Sequence, residues 1–156
     1  VKLLRQSNRW SCLPTAFAMA AGLSFETLIE RIGHDGSEII WPDLPEPQRR
    51  RAFHIQECIN AVALDWGVTP FELIGRISPN GVLISEINFQ YPKLDTWTGV
   101  ALGLGMVSGN RHAVAFCNGE IFDPNGLRYD FEIKSGSRFK PELIYRFDLI
   151  SQDIVF

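Results

Sequence analysis

The sequence predicts an α+β domain, and three observations carry that expectation. Apolar residues recur at helical spacing as far as Trp66, and short runs bounded by turn residues follow from Val82 onward. The 156 residues contain no internal repeat or low-complexity tract and fit one domain spanning 1–156. A chain of this length can bury a two-layer core without metal or disulfide staples.

Ser11 is placed to cap a first helix opening at Cys12, with Pro14 tolerated in the first turn and Gly22 offering a left-handed stop. Its alanines, with Phe17, Met19 and Leu23, make it apolar nearly all round, which belongs at the centre of a domain. A second helix is expected from a Ser24 cap to Ile32, with Phe25, Leu28, Ile29 and Ile32 on one face and Gly33 ending it. Pro42, Pro45 and Pro47 make residues 34–53 an irregular connection. A third helix then runs from about His54 to Trp66 and stops at Gly67. After a short segment around Phe71–Ile77, strands are expected at Val82–Ile87, Val100–Val107, His112–Cys117, Glu120–Asp123, Leu127–Ile133 and Ile144–Ile150.

Asn118-Gly119 is the sharpest local signal, a two-residue turn of the type I′ kind between alternating segments. It sets a register: Cys117 opposite Glu120, Phe116 opposite Ile121, Val114 opposite Asp123 and His112 opposite Asn125, provided no bulge intervenes. His112, Asp123 and Asn125 then share one sheet face. Either Asp123, diagonally, or Asn125, directly, is in reach of the imidazole.

Composition excludes several classes. Hydrophobic residues make up 46% and charged ones 21%, and no apolar run approaches the roughly 20 residues of a membrane helix, so a soluble protein without a membrane partner is expected. A net charge of -3 gives no footprint for nucleic acid, and the basic cluster Arg49 to Arg51 reads as a solvated helix start. Three widely spaced cysteines do not form a disulfide framework, and no charged-then-apolar leader precedes Cys12; a reducing, cytoplasmic setting is the expectation.

The chemistry gathers around "RQSNRWSCLPTAFAMAAG". A free thiol is only a few per cent thiolate at neutral pH, so a nucleophilic cysteine requires a helix N-terminus or a cationic neighbour. Cys12 is expected to have both: the first turn of its helix, and His112 as proton acceptor and later donor, with Asp123 holding the imidazole. Attack on an amide or ester carbonyl places negative charge on oxygen, which needs aimed donors. The Gln6 side-chain amide and the Cys12 backbone N–H would supply them. This chemistry calls for no metal and no cofactor, and its partner is a peptide or protein substrate.

These residues resemble the papain-like cysteine peptidases, and more closely the bacterial branch that removes double-glycine leaders. The matching stretches are "QSNRWSCLPTAFAMAAG" and "RHAVAFCNGEIFDPNG". The resemblance implies a helical N-terminal lobe whose central helix packs on a C-terminal antiparallel sheet, with the cleft between them. It assigns the oxyanion, nucleophile, base and orienting roles to Gln6, Cys12, His112 and Asp123. Where that family often has Asp-Cys-Gly-Pro, this chain has Ser11-Cys12-Leu13-Pro14, which alters the approach of substrate past residue 13. The chain as given carries no exporter membrane domain, so an exporter-linked role is not expected of it. Because the wider superfamily includes glutamine deamidases and transglutaminase-like enzymes, the resemblance implies thiol acyl chemistry more firmly than proteolysis.

Blander readings stand beside these. Cysteine is among the most buried residue types, so Cys12 can be a packing residue, and Cys58 and Cys117 are expected to be. His54 and Cys58 have a metal-compatible i, i+4 spacing, but two such residues without further ligands make a poor zinc site. His34 and His54 compete with His112 for the role of base, yet neither has a hairpin that returns a carboxylate to its own face. Asp123-Pro124-Asn125-Gly126 also reads as a plain turn, Gln6 as a surface residue near the terminus, and Trp10 as core. From another functional class, the fold can also serve as a peptide-binding module without turnover.

Overall fold

The computed structural model describes residues 1–39, 50–64, 97–105, 110–131 and 138–147, together with the backbone of 71–77 and 83–85. Among these, three helices come first: α1 (Cys12–Ala21), α2 (Phe25–Ile32) and α3 (Ile55–Ala63). Seven strands follow: β1 (Phe71–Ile77), β2 (Leu83–Ser85), β3 (Thr98–Gly105), β4 (Arg111–Cys117), β5 (Glu120–Asp123), β6 (Leu127–Asp130) and β7 (Phe139–Phe147). They form one antiparallel sheet in the order β2-β1-β7-β3-β4-β5-β6. The α+β expectation holds. No single helix among the described residues is long and apolar enough to cross a membrane.

α1 is the central element, packed against α2, α3, β3, β4 and β5. Pro14 to Ala20 are all buried, and small alanines let the helix lie close to the sheet. Gly22 ends it in the left-handed conformation, φ 71°, donating its N–H to the Ala18 and Met19 carbonyls. α2 begins at Ser24, whose hydroxyl accepts the Thr27 N–H at 3.1 Å, and ends at Gly33. α3 is described over Ile55–Ala63 with Leu64 after it, and residues 65–67 of the expected helix and its stop lie outside the described residues.

The sheet has two apolar faces. Ala113, Ala115, Val100 and Phe122 pack with α1 and α3. On the opposite face Val114, Phe116, Ala101, Ile121, Phe139 and Ile144 form a second cluster. Alternation along β4 and β5 produces both sets, since successive side chains point to opposite faces.

The expected β4–β5 hairpin is present. Asn118 and Gly119 take φ of 51° and 79°, and Cys117, Phe116 and Ala115 pair with Glu120, Ile121 and Phe122. Two strands depart from expectation. Phe71–Ile77, which the sequence leaves as a short segment, is β1, and its register shift between Leu73 and Gly75 blurs the alternation. β7 begins at Phe139 rather than Ile144 despite Pro141. That proline lies opposite Gly103, beside a register shift between Leu102 and Gly103, where the ladder tolerates a missing N–H. A Cβ at Gly103 would lie 2.0 Å from the Lys140 carbonyl oxygen, so only glycine fits this approach. Residues 82, 86, 87, 106, 107, 132, 133 and 148–150 of the expected strands lie outside the described residues.

Candidate active site

Two attachments bring the N-terminal segment to the β5–β6 turn. Arg5 bridges Asn125, and the Gln6 N–H donates to the Pro124 carbonyl at 2.7 Å. The loop from Gln6 to Cys12 is then organised by Asn8. Its Oδ1 accepts the Trp10 N–H at 3.1 Å and the Ser11 hydroxyl, and its carbonyl accepts from Gln6 Nε2 at 2.6 Å. Ser11 thus occupies the cap position of α1 without capping it; its hydroxyl turns back to Asn8, and its carbonyl receives the Thr15 N–H and hydroxyl. Asn8 is a residue that sequence reasoning passed over. The signal was there, because Asn readily accepts hydrogen bonds from the backbone two residues on.

Cys12 is the first residue of α1, where N–H groups have no partner within the helix. The thiol is half-buried, and its interaction with the His112 side chain is one cause of that imidazole's raised pKa. His112 is the second residue of β4, and its Nε2 lies 2.8 Å from Asp123 Oδ1, so Nδ1 is the ring nitrogen that the carboxylate does not engage. Alternation puts His112 on the sheet face of Val114 and Phe116, while α1 covers the other face. The ring meets Phe139 edge-on at 6.3 Å between centroids.

Asp123 is the anchor. Its side chain is 7% exposed, and its carboxylate accepts from His112 Nε2, from the Asn125 N–H at 2.9 Å and from the Tyr129 hydroxyl at 2.6 Å. Burial works to raise its pKa, but these hydrogen bonds and the His112 charge hold it below the usual carboxylate value. For His112, burial works to lower the pKa; hydrogen bonds to Asp123 and Cys12, and their charges, override it and push the imidazole up to about 9. The Tyr129 phenol is pushed well above its ordinary range by burial and by the Asp123 carboxylate that it serves.

The sequence left open which residue faces the imidazole, and the geometry selects Asp123. Asn125 does not remain opposite His112, because the chain turns at 123–126, closed by the Gly126 N–H on the Asp123 carbonyl at 2.8 Å. Gln6 lies on the same loop as Cys12. Its Nε2 keeps a second N–H beyond the Asn8 contact, and its Oε1 is buried without a partner.

The competing residues have other duties. His34 accepts the Gly36 N–H at Nδ1 and lies 2.9 Å from Glu57 through Nε2, stacked on Phe53. His54 caps α3 by accepting the Gln56 N–H at 3.1 Å. Cys58 is fully buried, and burial pushes its thiol far up. Cys117 packs on the helix-facing side, with the Thr98 hydroxyl 3.3 Å from its sulfur. Trp10 donates its indole N–H to the Asp35 carbonyl at 2.9 Å, and the Arg50 guanidinium lies 4.9 Å from its ring centroid. It ties the loop of Cys12 to the segment after α2.

A cleft of about 250 Å³ opens beside His112 and Asp123, lined also by Gly105, Asn125, Leu127, Tyr129 and Arg138. No family model matches this chain, and neither does any curated protein or solved structure.

Proposed function

We propose that the protein is a papain-like thiol hydrolase acting on a peptide or protein substrate in a reducing compartment such as the cytoplasm. The observation that carries this reading is the His112 imidazole held 2.8 Å from the buried Asp123 carboxylate and raised in pKa by Cys12, the first residue of a buried helix. A thiol, an imidazole and a carboxylate that fixes the ring are the parts that nucleophilic acyl transfer requires.

In the first half-reaction the imidazole already holds a proton on each nitrogen, as its pKa of about 9 requires, and the Cys12 sulfur paired with it attacks the substrate carbonyl. The Cys12 backbone N–H and the second N–H of Gln6 Nε2 receive the developing oxyanion. The imidazolium then gives its proton to the leaving amine, and a thioester remains. In the second half-reaction the now neutral His112 takes a proton from water, hydroxide adds to the thioester, and the carboxylic acid departs, leaving the sulfur paired with the protonated imidazole. Asp123 stays ionised throughout, as its depressed pKa requires.

The test is cleavage of a peptide library, read as new N-termini by mass spectrometry, with Cys12→Ala as control. New termini that appear with the parent and disappear with the variant support a peptidase. A deamidase built on the same triad would instead leave backbones intact, release ammonia and add about 1 Da per event, since NH₂ is exchanged for OH at the acyl carbon. Neither product, together with undiminished partner binding by Cys12→Ala, would mark a binding module.

A further inference from the structure

We propose that Tyr129 is a positioning residue for this site: its hydroxyl locks the Asp123 carboxylate so that the His112 ring is held toward Cys12. The inference rests on the thiol-hydrolase reading and adds a residue to it. Tyr129 stands on β6 opposite Ile121 of β5, while Asp123 pairs with Leu127, so Tyr129 and Asp123 are diagonal neighbours on one sheet face. From there its hydroxyl donates to Asp123 Oδ2 at 2.6 Å. The other oxygen, Oδ1, already accepts from His112 Nε2 and the Asn125 N–H.

With both oxygens engaged, the carboxylate cannot rotate about its Cβ–Cγ bond without breaking a charge-assisted hydrogen bond. The tyrosine ring is itself fixed, packed against the cluster that contains Val114, Phe116 and Ile121, with the Arg138 guanidinium 5.9 Å from its centroid. Rigidity therefore passes from the outer face of the sheet through Asp123 to the imidazole. Without the hydroxyl, Oδ2 is buried and unpaired, and the carboxylate is free to turn.

A hydroxyl that only satisfied a buried acceptor would affect stability and leave the thiol's reactivity alone. The experiment is iodoacetamide alkylation of Cys12, followed by mass spectrometry at pH ~6 and at pH ~9.5, where a free thiol of pKa about 8.5 is mostly neutral and mostly ionised respectively. It is run on the parent, Tyr129→Phe and His112→Ala. Tyr129→Phe should lower the rate at pH ~6 by about tenfold and leave the rate at pH ~9.5 within about twofold, because the imidazole matters only while the thiol needs it.

If Tyr129→Phe follows the parent at both pH values while His112→Ala collapses at the lower one, Tyr129 does not position the site and the Cys12–His112 pair stands. If His112→Ala also follows the parent, the pair itself fails, and the role of Tyr129 with it. Should the Phe variant not fold, 4-aminophenylalanine at the same position keeps the ring and a weaker N–H donor. A loss of about two- to fivefold confined to pH ~6 supports the proposal, and an unchanged ratio of the two rates overturns it.

Discussion

Two histidines in this chain contact carboxylates at nearly the same distance, His112–Asp123 at 2.8 Å and His34–Glu57 at 2.9 Å, yet they are different devices. Both nitrogens of His34 are occupied by structure: Nδ1 accepts the Gly36 N–H, Nε2 faces Glu57, and Glu57 in turn accepts the His54 N–H and lies 3.5 Å from Arg51. That network clamps the end of α2 to the start of α3. His112 has one nitrogen on a carboxylate, and a half-buried thiol interacts with its ring and helps to raise its pKa. A histidine–carboxylate pair is therefore no mark of catalysis by itself. What distinguishes the two is the chemistry offered to the second nitrogen.

The comparison breaks most readily at the thiol. With His112→Ala, Cys12 loses its imidazole partner, and alkylation at pH ~6 should fall by about 100-fold, toward the reactivity of an unassisted thiol. His34→Ala should leave that rate unchanged. The same His34→Ala variant should instead lower unfolding free energy by about 2 kcal/mol, read from urea midpoints, because it orphans the Gly36 N–H and loses the Glu57 contact. A fall in Cys12 reactivity with an undisturbed fold would erase the distinction.

The pH dependence of stability sharpens the contrast further. The folded His112 pKa of about 9 lies above its ordinary value of about 6.5, so the protein binds this proton more tightly folded than unfolded. The resulting stabilisation is fully present below about pH 6.5 and is lost as pH rises through about 9. Urea midpoints should decline over that interval in the parent and decline less in His112→Ala. For scale, Ser24→Ala removes an ordinary helix cap remote from both histidines and should cost about 1 kcal/mol at any pH between.

Much of this was legible in the sequence because local rules governed it. Gly22 and Gly33 stop helices where a left-handed residue is needed, and Asn118-Gly119 fixes the hairpin that places His112 and Asp123 on one face. The contributions of Asn8 and Tyr129 were less visible. Asn8 acts through a loop whose path is set by Arg5 and Gln6 docking on residues 124 and 125, and Tyr129 through a diagonal on β6 whose register depends on the turn at 123–126. The place of β7 between β1 and β3 rests on pairings far apart in the chain, which no local pattern encodes.

The most direct test of the account is the titration of His112 by nitrogen-15 NMR in the parent and in Cys12→Ala. If Cys12, His112 and Asp123 act as one unit, the imidazole titrates near 9 in the parent and lower in the variant, because the thiol supplies part of the upward shift. An imidazole that titrates near its ordinary value of about 6.5 in both proteins would contradict the account.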